Sequence, residues 1–230
     1  IGMLIDDVTE RERANSQILH QARHDHLTGL VNRSVLLAEM AERFTRTDQV
    51  ALLLLDLNGF KNVNDTLGHL TGDEVLKVIA DRLRRLCGPT DVIARLGGDE
   101  FAILVTDSDP GEVEVLVDAV LDRCRSAVSV DSVTVVLGAS VGVAFGPMHA
   151  ADAEGLLRCA DVAMYAAKRN EQGHRYFSSD LNANHQQLEL LGALHDAFVD
   201  GQFTLRFQPK VCLRTGRVIG AEALVRWEHP

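Results

Sequence analysis

The chain has 230 residues, 46% of them hydrophobic, which suffices for one well-cored domain with appendages. Its net charge of -10 argues against non-specific nucleic-acid binding, which needs a positive field, and its apolar runs are too short to cross a bilayer. Its four cysteines are scattered without a CxxC pair, so we expect reduced thiols in a cytoplasmic protein rather than a disulfide framework or a zinc site.

Both ends of the sequence predict a fragment. Residue 1 is not Met, and the final stretch, ALVRWEHP, belongs to an apolar strand-like segment that has nothing downstream with which to pair. We therefore expect a piece of a larger multidomain protein, which could itself be tethered to a membrane.

Hydrophobic spacing predicts the elements in chain order. A polar helix within 9–24 precedes an amphipathic helix near 34–46. The continuous apolar run at 50–57 predicts a buried central strand, and a stretch rich in Gly, Asn and Asp separates it from a helix over 72–87. Gly97-Gly98 then predicts a hairpin. The remaining predictions are strands at 91–96, 100–105, 132–146 and 174–177, and helices at 110–127 and 152–170.

The order βα-ββ-αβ predicts an α+β, ferredoxin-like fold, in which an antiparallel central sheet has its helices packed on one face. The first and third strands are neighbours in such a sheet, so Asp56, at the end of the first, should approach Asp99 and Glu100 at the hairpin tip. Three carboxylates at one point are costly unless a cation neutralises them, and oxygen ligands favour Mg²⁺ or Mn²⁺. The alternative is that Asp99 and Glu100 cap a solvated turn, and spacing alone favours neither interpretation.

The segment after Asp56 indicates a nucleotide as the companion of that cation. Gly59 lets the backbone turn and approach a ligand, and successive N–H groups there could form an anion nest. Asn64 and Asp73 supply an amide and a carboxylate, which together can read guanine. Taken singly, Asn64 is more typical of a turn, and Asp73 of a residue near a helix N-terminus.

Several long motifs follow one another over about residues 25–177. They are DHLTGLVNR, LDLNGFKNVNDTLGHLTGDEVL, RLGGDEF, ASVGVAF and ADVAMYAAK. In order and spacing they resemble the GGDEF family of diguanylate cyclases. The resemblance implies a nucleotide-cyclase-like fold and a reaction in which two GTP molecules, one on each of two GGDEF subunits, condense into cyclic di-GMP and release pyrophosphate.

The resemblance also implies roles for individual residues. Asp56 and Asp99 match metal-binding acids, Leu57 a backbone carbonyl ligand, and Glu100 the acid that activates the ribose 3′-hydroxyl and also touches metal. The substrate-binding positions are the guanine-reading pair Asn64 and Asp73, the phosphate-cradling turn at Gly59 and Phe60, and the phosphate-binding Lys168.

Two positions depart from the family pattern. Gly88 stands where the product-inhibition motif RxxD, here GPTD at 88–91, has arginine, so we expect feedback inhibition through this site to be absent. Gln172 stands where an arginine usually follows the helix lysine. We expect weaker triphosphate binding unless Arg169 or Arg175 substitutes for it.

The flanks resemble two further modules. The segment GMLIDDVTERERA is similar to the exit strand and linker of a PAS sensor domain, and 203–230 resembles the opening of an EAL phosphodiesterase domain, with Glu222 at a metal-ligand position. The predicted organisation is a sensor end and linker helix at 1–24, the GGDEF domain at 25–177, a helical linker at 178–200 and a truncated EAL start at 201–230, too short to hydrolyse cyclic di-GMP. The linker's apolar stripe comprises Leu188, Leu191, Leu194 and Phe198.

Two functions remain open at this stage. An intact GGDEF turn favours an active diguanylate cyclase that works as a dimer of GGDEF domains. The tandem architecture and the missing arginine favour a GTP-binding regulatory module that controls an adjacent EAL phosphodiesterase.

Overall fold

The computed structural model describes residues 22–46, 49–107, 109–130, 133–181, 197–198 and 200–227. The chain divides into two compact units, one ending at Leu181 and one beginning at Asn182. The PAS-like segment, and most of the linker predicted at 178–200, lie outside the described residues.

The first unit is built on a five-stranded sheet. Its helices are α1 (Arg33–Thr45), α2 (Phe60–Leu67), α3 (His69–Leu86), α4 (Pro110–Arg125) and α5 (Ala153–Arg169). Its strands are β1 (Val50–Asn58), β2 (Val92–Gly97), β3 (Glu100–Thr106), β4 (Val128–Val130), β5 (Val133–Val135), β6 (Gly138–Gly146) and β7 (His174–Tyr176).

The sheet has the strand order β2-β3-β1-β6-β7, and β4 and β5 form a separate small hairpin. All pairings in the large sheet are antiparallel except that of β6 with β7. Strand β1 lies between β3 and β6, and all its residues except Asn58 are buried. A strand buried on both faces needs apolar residues at successive positions, which explains the uninterrupted run in the sequence. The ferredoxin-like fold predicted from the element order is confirmed.

The helices cover both faces of this sheet, so the expectation that they pack on one face is wrong. Leu53 and Leu55 of β1 share a core with α3 and α4, which are the crossover helices of the predicted motif. Leu52 and Leu54 point the other way, into a second core with α1 and α5. Helix α1 precedes the βαββαβ unit in the chain and α5 follows it. The βαββαβ order therefore could not predict which face of the sheet these two helices cover.

Three element boundaries also differ from prediction. Helix α2 occupies the polar stretch to which the sequence pattern assigned no element, because Phe60 and Val63, one turn apart, are both buried against the core. Helix α3 begins at His69, so Asp73 lies in its second turn rather than opening it. The strand predicted at 132–146 is divided into β5 and β6.

The second unit contains an antiparallel hairpin of β8 (Phe203–Val211) and β9 (Val218–Trp227). One face is apolar, because Leu205 opposes Val225 and Phe207 opposes Ala223. Glu222 opposes Gln208 on the other face, where its carboxylate lies 3.6 Å from Lys210 Nζ. Among the described residues of the whole chain, no helix is long and apolar enough to cross a membrane.

Helix α5 approaches the sheet closely at Gly142 of β6. A Cβ atom there would overlap the backbone of Ala160 and Met164 in α5. Gly142→Ala should therefore push α5 off the sheet and lower the free energy of unfolding by about 2 kcal/mol or more, as overpacked cores do. Chemical denaturation measures this. Gly88→Ala is the control, since its Cβ would meet only Asp91 Oδ2 at 3.5 Å. Equal stability of the two variants would contradict the close approach of α5.

Candidate functional site

Three carboxylates lie at one edge of the central sheet. Asp56, near the end of β1, has only 10% of its side chain exposed. Glu100 in β3 is its direct cross-strand partner, so both side chains project toward the face covered by α1 and α5. Asp99 precedes Glu100, and its carbonyl accepts a hydrogen bond from the Leu57 amide at 3.3 Å. The fold thus brings Asp56, Asp99 and Glu100 to the same edge.

The turn that carries Asp99 depends on glycine. Strand β2 ends at Gly97 and β3 begins at Glu100, which leaves Gly98 and Asp99 as the turn itself. Gly97 and Gly98 have φ angles of +151° and +51°. Residues with a Cβ adopt such angles only at a cost, so the two glycines allow the sharp reversal that presents the neighbouring acids.

Arg95 holds this turn, a role that was not predicted from the sequence. Its Nε and Nη2 donate to the Gly98 carbonyl at 3.0 and 2.7 Å, and its Nη1 donates to Asp25 Oδ1 at 3.0 Å. Burial would raise the pKa of Asp25, but hydrogen bonds from Thr28 and Arg95 outweigh it and lower that pKa. Arg95 is the first residue of the motif RLGGDEF, and Asp25 is the first residue of DHLTGLVNR. Their positions within these motifs are the sequence signal that could have identified them as site residues.

Lys168 supplies positive charge to the carboxylate edge. It lies in the last turn of α5, one helical turn beyond Met164, which packs on Gly142. Its Nζ is 2.7 Å from Asp56 Oδ1, and half of the lysine side chain is exposed. The ion pair joins an almost buried carboxylate to a cation that reaches it from solvent.

Burial and neighbouring negative charge raise the pKa of both turn acids. For Asp99, burial is the larger cause and the Asp56 carboxylate the second. For Glu100, burial is again the largest cause, followed by Asp161 of α5 and then Asp56. The Lys168 ammonium lowers the pKa of both. The negative charge at this edge therefore exceeds what the nearby cations neutralise.

The two residues expected to read guanine lie on the neighbouring helices. Asn64 is in α2 and Asp73 in α3. The Asn64 side chain lies over Gly72, where a Cβ atom would overlap its Oδ1, so Gly72 leaves room for the amide beside Asp73. No sequence pattern predicts this role of Gly72, because the requirement for a small residue arises only from the packing of α2 against α3.

The phosphate-cradling turn predicted at Gly59 and Phe60 is the start of α2. Gly59 has a φ angle of +81° and caps the helix without a side-chain hydrogen bond. The amides of Asn62 and Val63 donate to its carbonyl at 3.0 and 3.3 Å. The first backbone N–H groups of a helix have no partners within it, and they favour an anion.

The donors at this edge suit a hard divalent cation. In the described parts of the chain, no group of three or more His, Cys, Asp or Glu side chains is arranged to hold a metal ion. Mg²⁺ rarely uses such a cage, since it is usually held by one or two carboxylates together with substrate phosphates. Asp56 already pairs with an ammonium group, which shows that a cation fits there. Asp56, Asp99, Glu100 and the Leu57 carbonyl thus have the right chemistry for Mg²⁺ or Mn²⁺.

The two departures from the family pattern have definite places in the structure. Asp91 Oδ2 accepts a hydrogen bond from the Gly88 amide at 2.7 Å and closes the GPTD turn. The backbone N–H of Gln172, just beyond α5, donates a hydrogen bond to the Ala167 carbonyl. Arg169 is the last residue of α5, and Arg175 lies in β7, where its Nε is buried and has no hydrogen-bond partner.

The chain belongs to the GGDEF family. The family described as "Diguanylate cyclase, GGDEF domain" matches residues 22–174, and the EAL domain family matches 191–230. The chain is therefore a GGDEF domain followed by a short EAL match, and it belongs to cyclic di-GMP signalling.

Relatives and solved structures agree with this membership. One relative is the bifunctional diguanylate cyclase/cyclic di-GMP phosphodiesterase MucR of Pseudomonas aeruginosa, which is 40% identical to this chain. The match covers 96% of this chain and 33% of the length of MucR. The cyclic di-GMP phosphodiesterase NbdA of the same species is 34% identical over 97% of the chain and 29% of its own length. The chain thus spans about a third of each relative. The solved structure of an N-terminally shortened TpbB (YfiN) from P. aeruginosa, which comprises only the GGDEF domain, matches with a TM-score of 0.68 and 34% identity. The match covers 71% of this chain and 99% of that one.

The raised pKa of Glu100 predicts a stability change with a definite sign. A carboxyl whose pKa is raised on folding destabilises the fold when ionised, so stability falls as pH rises from the unfolded value, about 4.3, through the folded one. Without divalent cations at pH 7, Glu100→Gln should therefore raise the free energy of unfolding by up to about 1 kcal/mol, because solvent screens a partly exposed group. The gain should vanish below about pH 4, where wild-type Glu100 is protonated. Thermal melts at both pH values measure it.

Glu42→Gln, at an exposed position on α1, is the matched control. A Glu100→Gln variant no more stable than this control at pH 7 would contradict the excess of negative charge at the edge.

Proposed function

We propose that this GGDEF domain is an active diguanylate cyclase, which condenses two GTP molecules into cyclic di-GMP and pyrophosphate. The observation that carries the proposal is the pairing of Asp56 with Glu100 at the end of the sheet, beside the ion pair from Asp56 to Lys168. Family membership supports a nucleotidyltransferase of this type.

The nucleotide is held at three points along the carboxylate edge. Asp73 accepts hydrogen bonds from guanine N1–H and N2–H₂, while the Asn64 amide both donates and accepts. The backbone N–H groups at Gly59 and Phe60 receive the phosphates, and Lys168 adds a positive charge from α5. The ribose then lies against Gly97 and Gly98, which have no side chains to obstruct it.

Glu100 acts on the attacking hydroxyl. It takes the proton from the ribose 3′-hydroxyl of one GTP while that oxygen forms a bond to the α-phosphorus of the other. The bond between the α-phosphorus and the bridging oxygen breaks, and pyrophosphate leaves with its electron pair. A second, equivalent step closes the ring. When bound to Asp56, Asp99 and the Leu57 carbonyl, Mg²⁺ or Mn²⁺ neutralises the charge that develops on the phosphates.

The reaction requires two copies of the domain. Each domain has one set of guanine and phosphate contacts and so holds one GTP, whereas the product contains two guanosine units. Two domains must therefore meet face to face at the carboxylate edge. The expected partners are thus GTP and a second GGDEF subunit, together with the chain's own PAS-like and EAL regions in the intact protein.

Incubation with GTP and Mg²⁺, followed by chromatography, tests the proposal. We expect cyclic di-GMP to form at a rate per subunit that rises with protein concentration, because two subunits must meet. Glu100→Gln should retain binding of a non-reactive GTP analogue and lose at least about 100-fold in synthesis, as the removal of a general base does. Full synthesis by Glu100→Gln would disprove the role of Glu100.

A regulatory function is the second candidate. It is favoured by Gln172, which stands where the family usually has an arginine, and by the EAL match over 191–230. In this alternative the domain binds GTP and regulates an adjacent EAL phosphodiesterase. The same incubation separates the two functions. Binding of GTP without synthesis, even at high protein concentration, would favour the regulatory module.

The substitution of Gly88 for arginine predicts the loss of product feedback. Glycine has no side chain that could donate paired hydrogen bonds to guanine and phosphate. The Asp91 carboxylate already accepts a hydrogen bond from the backbone N–H of Gly88. Isothermal titration of the domain with cyclic di-GMP should therefore show no tight binding at this turn, and added product should leave the initial rate unchanged. Tight binding that Asp91→Ala abolishes would contradict this prediction.

A further inference from the structure

The ammonium of Lys168 pairs directly with the carboxylate edge. Its Nζ is 2.7 Å from Asp56 Oδ1, a distance typical of a strong, charge-assisted hydrogen bond. Only 10% of the Asp56 side chain is exposed, compared with 50% of the lysine's. An almost buried carboxylate needs a compensating charge, and Lys168 provides it directly.

Lys168 therefore occupies the electrostatic role that a metal ion would take. A divalent cation bound to Asp56 would lie close to the ammonium, and two cations that close repel each other. Metal and ammonium consequently compete for the same carboxylate. The competition ends only if Lys168 acquires another anion.

The phosphates of a nucleotide can be that anion. The start of α2 at Gly59 follows Asp56 by three residues, so phosphates at this turn lie near the end of β1. Lysine carries its charge on a flexible four-carbon stem, and the half-exposed Lys168 can exchange one oxygen partner for another. The same phosphates complete the ligand set that the protein lacks, since Mg²⁺ is usually held by one or two carboxylates together with phosphate oxygens.

We propose that Lys168 is a placeholder cation, which keeps divalent metal off Asp56 until a nucleotide arrives and then transfers to its phosphates. This inference rests on the proposed function for the identity of the nucleotide, but its first half concerns the nucleotide-free domain alone. Metal and nucleotide binding are then coupled, and each raises the affinity of the protein for the other by the same factor. The domain therefore binds its metal ion and GTP together.

A purely structural ion pair would behave differently. In that case Asp56 and Lys168 remain paired when nucleotide binds, and the affinities for metal and for nucleotide do not depend on one another through Lys168. The two interpretations are distinguished by metal binding in the absence of nucleotide and by its coupling to nucleotide, neither of which requires turnover.

The experiment measures Mn²⁺ binding by electron paramagnetic resonance, first without nucleotide. Lys168→Met should bind Mn²⁺ at least about tenfold more tightly than wild type, since a charge within hydrogen-bond distance changes a carboxylate's affinity for a cation by that order or more. Lys77→Met is the matched control, because it removes the same charge from an exposed lysine of α3 that pairs with Glu74. It should leave Mn²⁺ affinity unchanged. Lys168→Arg, which retains the charge, should bind Mn²⁺ as weakly as wild type.

The second half of the experiment adds α,β-methylene-GTP, whose α–β bridge cannot be cleaved. In wild type the analogue should raise Mn²⁺ affinity, and in Lys168→Met this enhancement should be at least about tenfold smaller. Melting temperatures with and without Mn²⁺ show whether Lys168→Met is folded, and Lys168→Gln serves if it is not. Equal Mn²⁺ affinity of wild type and Lys168→Met, or an unchanged enhancement, would overturn the proposal. A wild-type protein that makes no cyclic di-GMP would refute the cyclase function alone, because neither measurement depends on synthesis.

Discussion

The accumulation of negative charge at one end of the central sheet is the constraint on which the rest of this structure depends. Asp56 and Glu100 are cross-strand partners, Asp99 adjoins them, and burial raises the pKa of both Asp99 and Glu100. A fold selected for stability alone would have no reason to keep such a group. The surrounding elements are arranged so that the carboxylates stay together and remain accessible to a cation.

Each neighbouring element contributes to that arrangement. Strand β1 is held by apolar cores on both faces, so Asp56 cannot move away from the edge. Arg95 fixes the turn that carries Asp99 and links it to Asp25 near the start of the described chain. Gly142 lets α5 lie directly on β6, which brings Lys168 to Asp56. The positions of the charges are therefore set by packing that is mostly apolar.

The sequence predicted that the first and third core strands are neighbours and that carboxylates meet at their edge, because both predictions depend on local signals. The apolar run of β1, the glycine hairpin and the alternation of helices and strands are each readable within a few residues. The sequence could not predict contacts between distant residues that have no local signature. Three contacts belong to this class: the ion pair between Lys168 and Asp56, the hydrogen bonds from Arg95 to the Gly98 carbonyl, and the space that Gly72 leaves for Asn64. Helix α2 was missed because its polar composition outweighed its two buried residues, Phe60 and Val63.

The central claim is that this edge is completed by a cation that arrives with a nucleotide. The most direct measurement is the affinity of the domain for a non-reactive GTP analogue, determined by isothermal titration in Mg²⁺ and again in excess EDTA. The account predicts that affinity falls at least about tenfold without metal, because the phosphates would then face three carboxylates without the divalent cation that offsets their charge. Equal affinity in the two conditions would contradict it.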